Sequence, residues 1–493
     1  MSAGALPILQ VVLPLIAAPL CVLLRRSSLA WAFTTLITWC LLAISILLLI
    51  RVMAGGVISY RLGGWAPPFG IEYRLDAVNC FVLLIICVIA AVVAPYMRQS
   101  VAREIPAPRH NIFYAVYLLA LTGLLGITAT GDAFNIYVFM EISSLASYVL
   151  IALGPSRQAR TAAFQYLIVG TIGATFLLIG IGLLYTMTGT LNLADLSLRI
   201  REVSDMRPIY AALAFITIGV LVKLALFPVH IWLPNAYTQA PSAISAFLAA
   251  SATKVGAYLL LRFVFSLFGV EFSFEQMPLM EILMPLSLIA ILVGSIVAIF
   301  QNNLKRLFAY SSIGQIGYLA LGISFGSTSG LTGAIVHTFN HAMMKGGIFL
   351  ALGCLVFRAG SVDLSTLHGL GRRMPFTMAA LIMGGLGLIG VPLTSGFVSK
   401  WYLVQAAIEA DLWPVAVLIL FGSLLALIYV GRIIEVAFFR PPPADLQAMR
   451  EAPLQMLIPT WILIASSVYF GIHTDITVSV SERAAEVLLR TPS

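Results

Sequence analysis

Gly219-Val-Leu-Val-Lys-Leu-Ala-Leu-Phe-Pro-Val-His-Ile-Trp-Leu-Pro-Asn-Ala-Tyr237 sets a lysine inside an apolar run and a proline five residues after it. Pro228 cannot donate a hydrogen bond to the carbonyl of Leu224. Inside lipid that freed carbonyl needs water or a side chain, so the stretch reads as a broken membrane helix with water beside Lys223. The lysines of the chain repeat the theme. Lys223, Lys254, Lys305, Lys345 and Lys400 all lie in or at the ends of strongly apolar stretches, whereas the 23 arginines sit mostly in connecting segments. Arginine keeps its proton under almost any condition, but a buried lysine can lose it near neutral pH. A chain that needed only positive anchors could use either residue. Confining lysine to the membrane interior looks built to move protons.

Composition supports the membrane reading. Of 493 residues, 60% are hydrophobic and 10% charged, against roughly 25% charged in a soluble domain. The expectation is an all-α, multi-pass integral membrane protein. The net charge of +8 comes largely from loop arginines. It reads as positive-inside topology and contact with anionic lipid, not nucleic-acid binding, because no basic run is interleaved with stacking aromatics. Cys21, Cys40, Cys80, Cys87 and Cys354 show no metal-like spacing and read as small buried residues. Neither a metal nor a redox cofactor is expected. The first apolar run lacks a basic start and an Ala-x-Ala cleavage site, so it reads as a retained helix.

About fourteen spans of the length a bilayer requires can be placed: near 5–24, 30–52, 76–97, 112–130, 133–153, 162–188, 209–238, 242–268, 280–300, 307–325, 331–357, 376–407, 413–438 and 455–472. Two alternating runs around a Gly/Pro turn between Ile58 and Asp76 predict a hairpin outside the bilayer. Gly131-Asp132 makes a very tight connection between the fourth and fifth spans. The seventh span is interrupted at Pro228 and Pro234, and the twelfth at Gly390-Val-Pro-Leu-Thr-Ser-Gly396. Pro228 and Pro392 stand 164 residues apart; broken helices in corresponding places of two halves point to a repeat-built transporter. The arginine bias places both termini outside, and the tail from His473 reads as short and mildly amphipathic.

Five constellations carry chemistry. Glu141, deep in the fifth span, is costly there unless it is paired or lines water. It reads as one half of a switchable ion pair with Lys223; a permanent structural clamp is the alternative. Lys254 lies mid-helix beside Ser251 and Thr253, with too much helix on either side to snorkel easily. His337, His341 and Lys345 follow in steps of four on one face of the eleventh span. Imidazole exchanges protons near pH 7. A zinc site would want a further carboxylate or cysteine ligand, and that helix has no Asp or Glu. Lys400 follows the second break and could end the relay. Lys305, at a helix start, and His230, just after Pro228, are possible members, each with an anchoring or backbone-bonding alternative.

Several of these stretches together resemble one family: Phe227 to Tyr237 with Ala240-Pro-Ser-Ala243, Asn303-Leu-Lys-Arg-Leu-Phe-Ala-Tyr-Ser-Ser312, His337 to Lys345, and Gly390 to Lys400. They are similar to the antiporter-like subunits shared by respiratory complex I, membrane-bound hydrogenases and Mrp-type cation/proton antiporters, over about residues 75–440. The resemblance implies fourteen helices and two inverted five-helix repeats. Residues 1–111 would hold helices one to three and the hairpin, 112–268 the first repeat, 269–440 the second, and 441–493 helix fourteen with a short tail. It also implies that Glu141, Lys223, Lys254 and Lys400 match the family's functional positions. The Ser-Lys-Trp-Tyr run ending at Tyr402 looks most like the Mrp D-type subunit. The implied function is proton translocation within a multisubunit monovalent cation (Na+)/proton antiporter of a bacterial inner membrane, with partner membrane subunits. The alternative is a proton-pumping subunit of a complex I-like or hydrogenase-linked redox complex, which would make the chain part of an NADH-quinone oxidoreductase-like translocase. A membrane-embedded transferase is disfavoured by the short loops.

Overall fold

The structure, a computed structural model, describes residues 3–441 and 449–490. Segment 442–448 of the C-terminal unit expected at 441–493 lies outside the described residues. With no water in the bilayer core, a backbone must satisfy its polar groups within itself, and the apolar runs fold accordingly into helices. In order these are α1 (Leu6–Leu23), α2 (Ser27–Gly55), the strands β1 (Ile58–Arg61) and β2 (Glu72–Leu75), α3 (Ala77–Glu104), α4 (His110–Ala129), α5 (Ala133–Ala152), α6 (Arg157–Thr188) and α7 (Leu193–Arg199). Then come α8 (Arg207–Leu224), α9 (Trp232–Gln239), α10 (Ser242–Leu261), α11 (Leu279–Ile299), α12 (Leu304–Ser324), α13 (Thr328–Ala359), α14 (Pro375–Ile389), α15 (Ser395–Glu409), α16 (Trp413–Phe439), α17 (Leu454–Ile472) and α18 (Asp475–Leu489).

Thirteen helices among the described residues are long and apolar enough to cross a membrane. The paired halves α14 and α15 make one further crossing. Polar side chains mark where several helices begin. Asp76 and Asn79 form a capping box at α3, and Asp132, Asn303 and Ser327 cap α5, α12 and α13. α10 is buried along its whole length and α12 nearly so, while α2, α6 and α16 turn most of their residues outward. β1 and β2 pair antiparallel as the expected hairpin, Ile58 opposite Leu75. Its buried Glu72 accepts from Ser59 and Asn192, fastening the hairpin to the loop before α7.

The two five-helix repeats show in matching backbone bonds. Ala133 N donates to Leu191 O and Leu193 N to Gly131 O; Leu304 N donates to Val362 O and Leu364 N to Asn302 O. Each atom of the second set lies 171 residues after its counterpart in the first. An odd number of crossings per repeat inverts the second relative to the first. The first link therefore lies on the membrane face that carries the hairpin, and the second on the opposite face, where Arg98, Arg103, Arg157, Arg160, Arg372 and Arg373 lie.

The breaks match as well. α8 ends at Leu224 with Ala225 at φ 61, and α14 ends at Ile389 with Gly390 at φ 85. Leu226 N returns to Leu221 O and Val391 N to Leu386 O, the same closing bond in both. The first break thus runs from Ala225 to Ile231. Pro234, which the sequence also marked as an interruption, does not break the helix. It stands in the first turn of α9, where a proline has no helical partner to lose. Two short helices were not anticipated. α7 lies on the hairpin face between spans, and the tail folds as α18, which buries Val480, Ala484 and Leu488.

Candidate functional site

Each buried lysine can be traced to its partners. Lys223, in the last turn of α8, donates to Ser143 Oγ (3.1 Å) and Ser144 Oγ (2.9 Å) on α5. Glu141, two residues before Ser143, is partly buried, and it makes no ion pair with Lys223. The ion pairs among the described residues all use arginine. Lys223 is therefore held by the two serine hydroxyls and not by the Glu141 carboxylate. A small cavity beside it is lined by Met140, Ser144, Tyr166, Gly170 and Lys223, with about 10 Å³ open to the centre of a water molecule. That is about one water's requirement. The hydroxyls of Tyr148 and Tyr166 are buried there without a protein partner.

Lys254 is wholly buried, which removes the snorkelling alternative. Its Nζ donates to Ala249 O at 2.5 Å and to Thr253 Oγ1 at 3.4 Å. α10 packs on α13 where Ala250 approaches Gly346, so Lys254 lies alongside the histidine-bearing helix. On α13 the rings of His337 and His341 stack with centroids 5.7 Å apart. His337 Nδ1 lies 2.8 Å from Ser399 Oγ of α15. His337 Nε2, both nitrogens of His341, Asn340 Oδ1, Gln315 Oε1 and Thr332 Oγ1 are buried without a protein partner. Leaving so many polar atoms unsatisfied is costly, and a polar site of this kind is where buried water belongs. Lys345 leaves the histidine row for α12, donating to Phe308 O (2.8 Å) and Ser311 Oγ (2.5 Å).

Lys400 occupies the freed carbonyls of its broken helix. Its Nζ donates to Leu388 O and Ile389 O, both at 2.9 Å, and to Ser423 Oγ at 2.8 Å, while lying 4.7 Å over the Tyr318 ring. At the first break the indole of Trp232 serves instead, donating to Val222 O. Lys305 is buried and donates to Ala240 O at 3.1 Å, so its charge is directed into the protein. His230 is partly buried against Phe227 and its Nδ1 has no partner.

A family description reading NADH:quinone oxidoreductase/Mrp antiporter, transmembrane, matches residues 130–426. The chain belongs to this family. The family's two branches are both represented among similar proteins. The N subunit of the NADH-quinone oxidoreductase of Desulforudis audaxviator is 40% identical, covering 96% of this chain and 97% of that protein. The D-type subunit of the Na(+)/H(+) antiporter of Bacillus subtilis is 29% identical, covering 98% and 97%. A chain of the Mrp complex of Dietzia sp. superposes with a TM-score of 0.90 at 25% identity, covering 99% of this chain and 98% of that one. A chain of an archaeal membrane-bound sulfane sulfur reductase, a respiratory complex, does so with 0.90 at 31%, covering 98% of each.

Lys223, Lys254, His337, His341, Lys345 and Lys400 all lie buried inside the bundle. The reading from sequence missed their hydroxyl partners: Ser143, Ser144, Ser311, Ser399 and Ser423. The two serines directly after Glu141-Ile142 carried a visible signal, being adjacent hydroxyls in mid-span. The others are too ordinary in membrane helices to stand out.

Proposed function

We propose that this chain is the proton-translocating subunit of a multisubunit membrane complex. Protons move along Glu141, Lys223, Lys254, the His337/His341/Lys345 face and Lys400, with water between them. One observation carries the reading: every lysine of the chain is buried and held by hydroxyls and carbonyls alone, never by a carboxylate. Such acceptors take a hydrogen bond from an ammonium and from a neutral amine, so the site tolerates both protonation states. A carboxylate in contact would lock the charged one. Glu141 is then a gate, supporting the charged state of Lys223 when it approaches and releasing it when apart. Lys305 and His230 are side members.

Within that reading the chain serves as a D-type subunit of a cation/proton antiporter, supported by its end-to-end likeness to proteins of that kind. The second reading, a redox-driven pump subunit, is favoured by the higher identity to the oxidoreductase N subunit. The deciding experiment uses the complete complex in vesicles. Cation-driven proton movement, lost on Lys223→Ala and Glu141→Ala, supports the antiporter. Co-purified iron–sulfur or flavin subunits, with proton uptake that requires electron transfer, support the redox pump. Lys223→Arg keeps the charge but cannot release the proton, and it is expected to abolish transport while the complex still assembles. Normal transport by this variant removes the relay.

A further inference from the structure

Lys254 begins a row on α10 that continues in steps of four residues to Tyr258 and to Arg262, the residue that caps the helix end. Arg262 lies about 12 Å nearer the hairpin face along the helix axis. Every nitrogen of its guanidinium is engaged. Nε donates to Tyr258 Oη (3.2 Å), Nη1 to Ser266 Oγ (3.2 Å) and Nη2 to Asp76 Oδ1 (2.5 Å). Asp76 is itself fixed, the same oxygen accepting from Val78 N and Asn79 N at the start of α3. Tyr258 donates its hydroxyl hydrogen to Thr128 O and accepts from Arg262. Its hydroxyl is thus occupied in both directions and offers no free link for a passing proton. The side chains of the ion pair are each about 10% exposed.

We propose that Arg262, backed by Asp76 and bridged by Tyr258, is a fixed-charge seal that closes the Lys254 end of the relay toward the hairpin face. The inference rests on the proton-relay reading given above. An arginine in a protein stays protonated, so it cannot act as a carrier as the lysines do. Its Nε bonds to Tyr258, one turn toward Lys254, while Asp76 holds Nη2 from the hairpin end of α3. In a low-dielectric path a positive group so placed repels an approaching proton, as arginines do in channels that exclude protons. Protons reaching Lys254 are thereby turned toward α13 and the second repeat.

The second repeat also carries an arginine on the opposite face, one residue short of the position that matches Arg262. Arg432 of α16 donates to Ile299 O (2.7 Å), Gln301 O (3.2 Å) and Asn302 Oδ1 (2.8 Å) at the end of α11. Ile299 stands 171 residues after Thr128, and Tyr429 the same distance after Tyr258, the spacing of the repeat links. The end of the last crossing is thus tied to the end of the first through Tyr258 in one repeat and directly through Arg432 in the other, on opposite faces of the membrane.

The test measures passive proton influx, under a potassium-diffusion potential, into vesicles holding the intact complex. With Arg262→Gln and Asp76→Asn combined, influx is expected to rise about tenfold or more as the repelling charge is removed. Adding Lys254→Met returns it to the wild-type level, and Arg262→Lys alone stays tight. Should the neutral pair fail to assemble, the exchanged pair Asp76→Arg with Arg262→Asp keeps the tether but sets a titratable carboxylate against the relay, and it too leaks. An assembled neutral or exchanged pair that is as tight as wild type overturns the seal, as does a leak that survives Lys254→Met. Transport by Lys223→Arg tests the relay separately, so a failed seal and a failed relay give different results.

Discussion

At the scale of single residues, the chemistry rests on what holds each lysine. Ser143 and Ser144 give Lys223 a resting place away from Glu141. Hydrogen bonds to a charged group contribute about 1.5–3 kcal/mol each. Replacing both serines by alanine is expected to slow proton movement about tenfold or more. The complex should remain assembled, because an alanine fits wherever a serine does. An unchanged rate in vesicles would reduce the serines to packing. Sequence alone picked out every protonatable member of this row, because a lysine or histidine in an apolar span is conspicuous. It could not identify the hydroxyl that each one touches, because serine is common in such helices and its partner comes from a distant span. Nor could it show that Glu141 and Lys223 make no direct ion pair, since that depends on the relative placement of α5 and α8.

At the scale of elements, the two breaks do the positioning, and they do it differently. Lys223 precedes its break on α8, whereas Lys400 follows its own on α15 and reaches back to the carbonyls that end α14. The second break is also tightly closed. A Cβ on Gly396 would collide with the carbonyl oxygen of Gly387. Gly396→Ala must push α15 away from α14, at a cost of about 2 kcal/mol by the usual penalty for overpacking. The expected result is a lower thermal midpoint of the detergent-solubilised complex together with lost proton movement, since Lys400 is carried on the displaced helix. A variant with unchanged midpoint and transport would mean that the break adapts freely and does not place Lys400. Pro228 and Pro392 made both breaks legible. The onset of the first at Ala225 was not, because an alanine with positive φ has no signature in sequence.

For the molecule as a whole, topology can be tested directly. The arginine bias implies that the hairpin face is outside. Phe69, at the hairpin's turn, is 97% exposed. A cysteine placed there, with Cys40 replaced because it too is exposed, is expected to react with a membrane-impermeant maleimide from outside intact cells. Labelling only after the membrane is opened would reverse the orientation and, with it, the direction of the relay. Sequence by itself determined that the chain is a helical membrane bundle, how many times it crosses, where two crossings break, and which titratable side chains lie within the spans. Those conclusions follow from local rules: the length of apolar run that lipid demands, the missing N–H of proline, and the cost of a charge in hydrocarbon. Tertiary structure alone decided which hydroxyl serves which lysine, that Lys400 caps α14, and that Arg262 meets Asp76 across 186 positions of chain. Such pairings depend on how distant helices turn toward one another, and no single span carries that information.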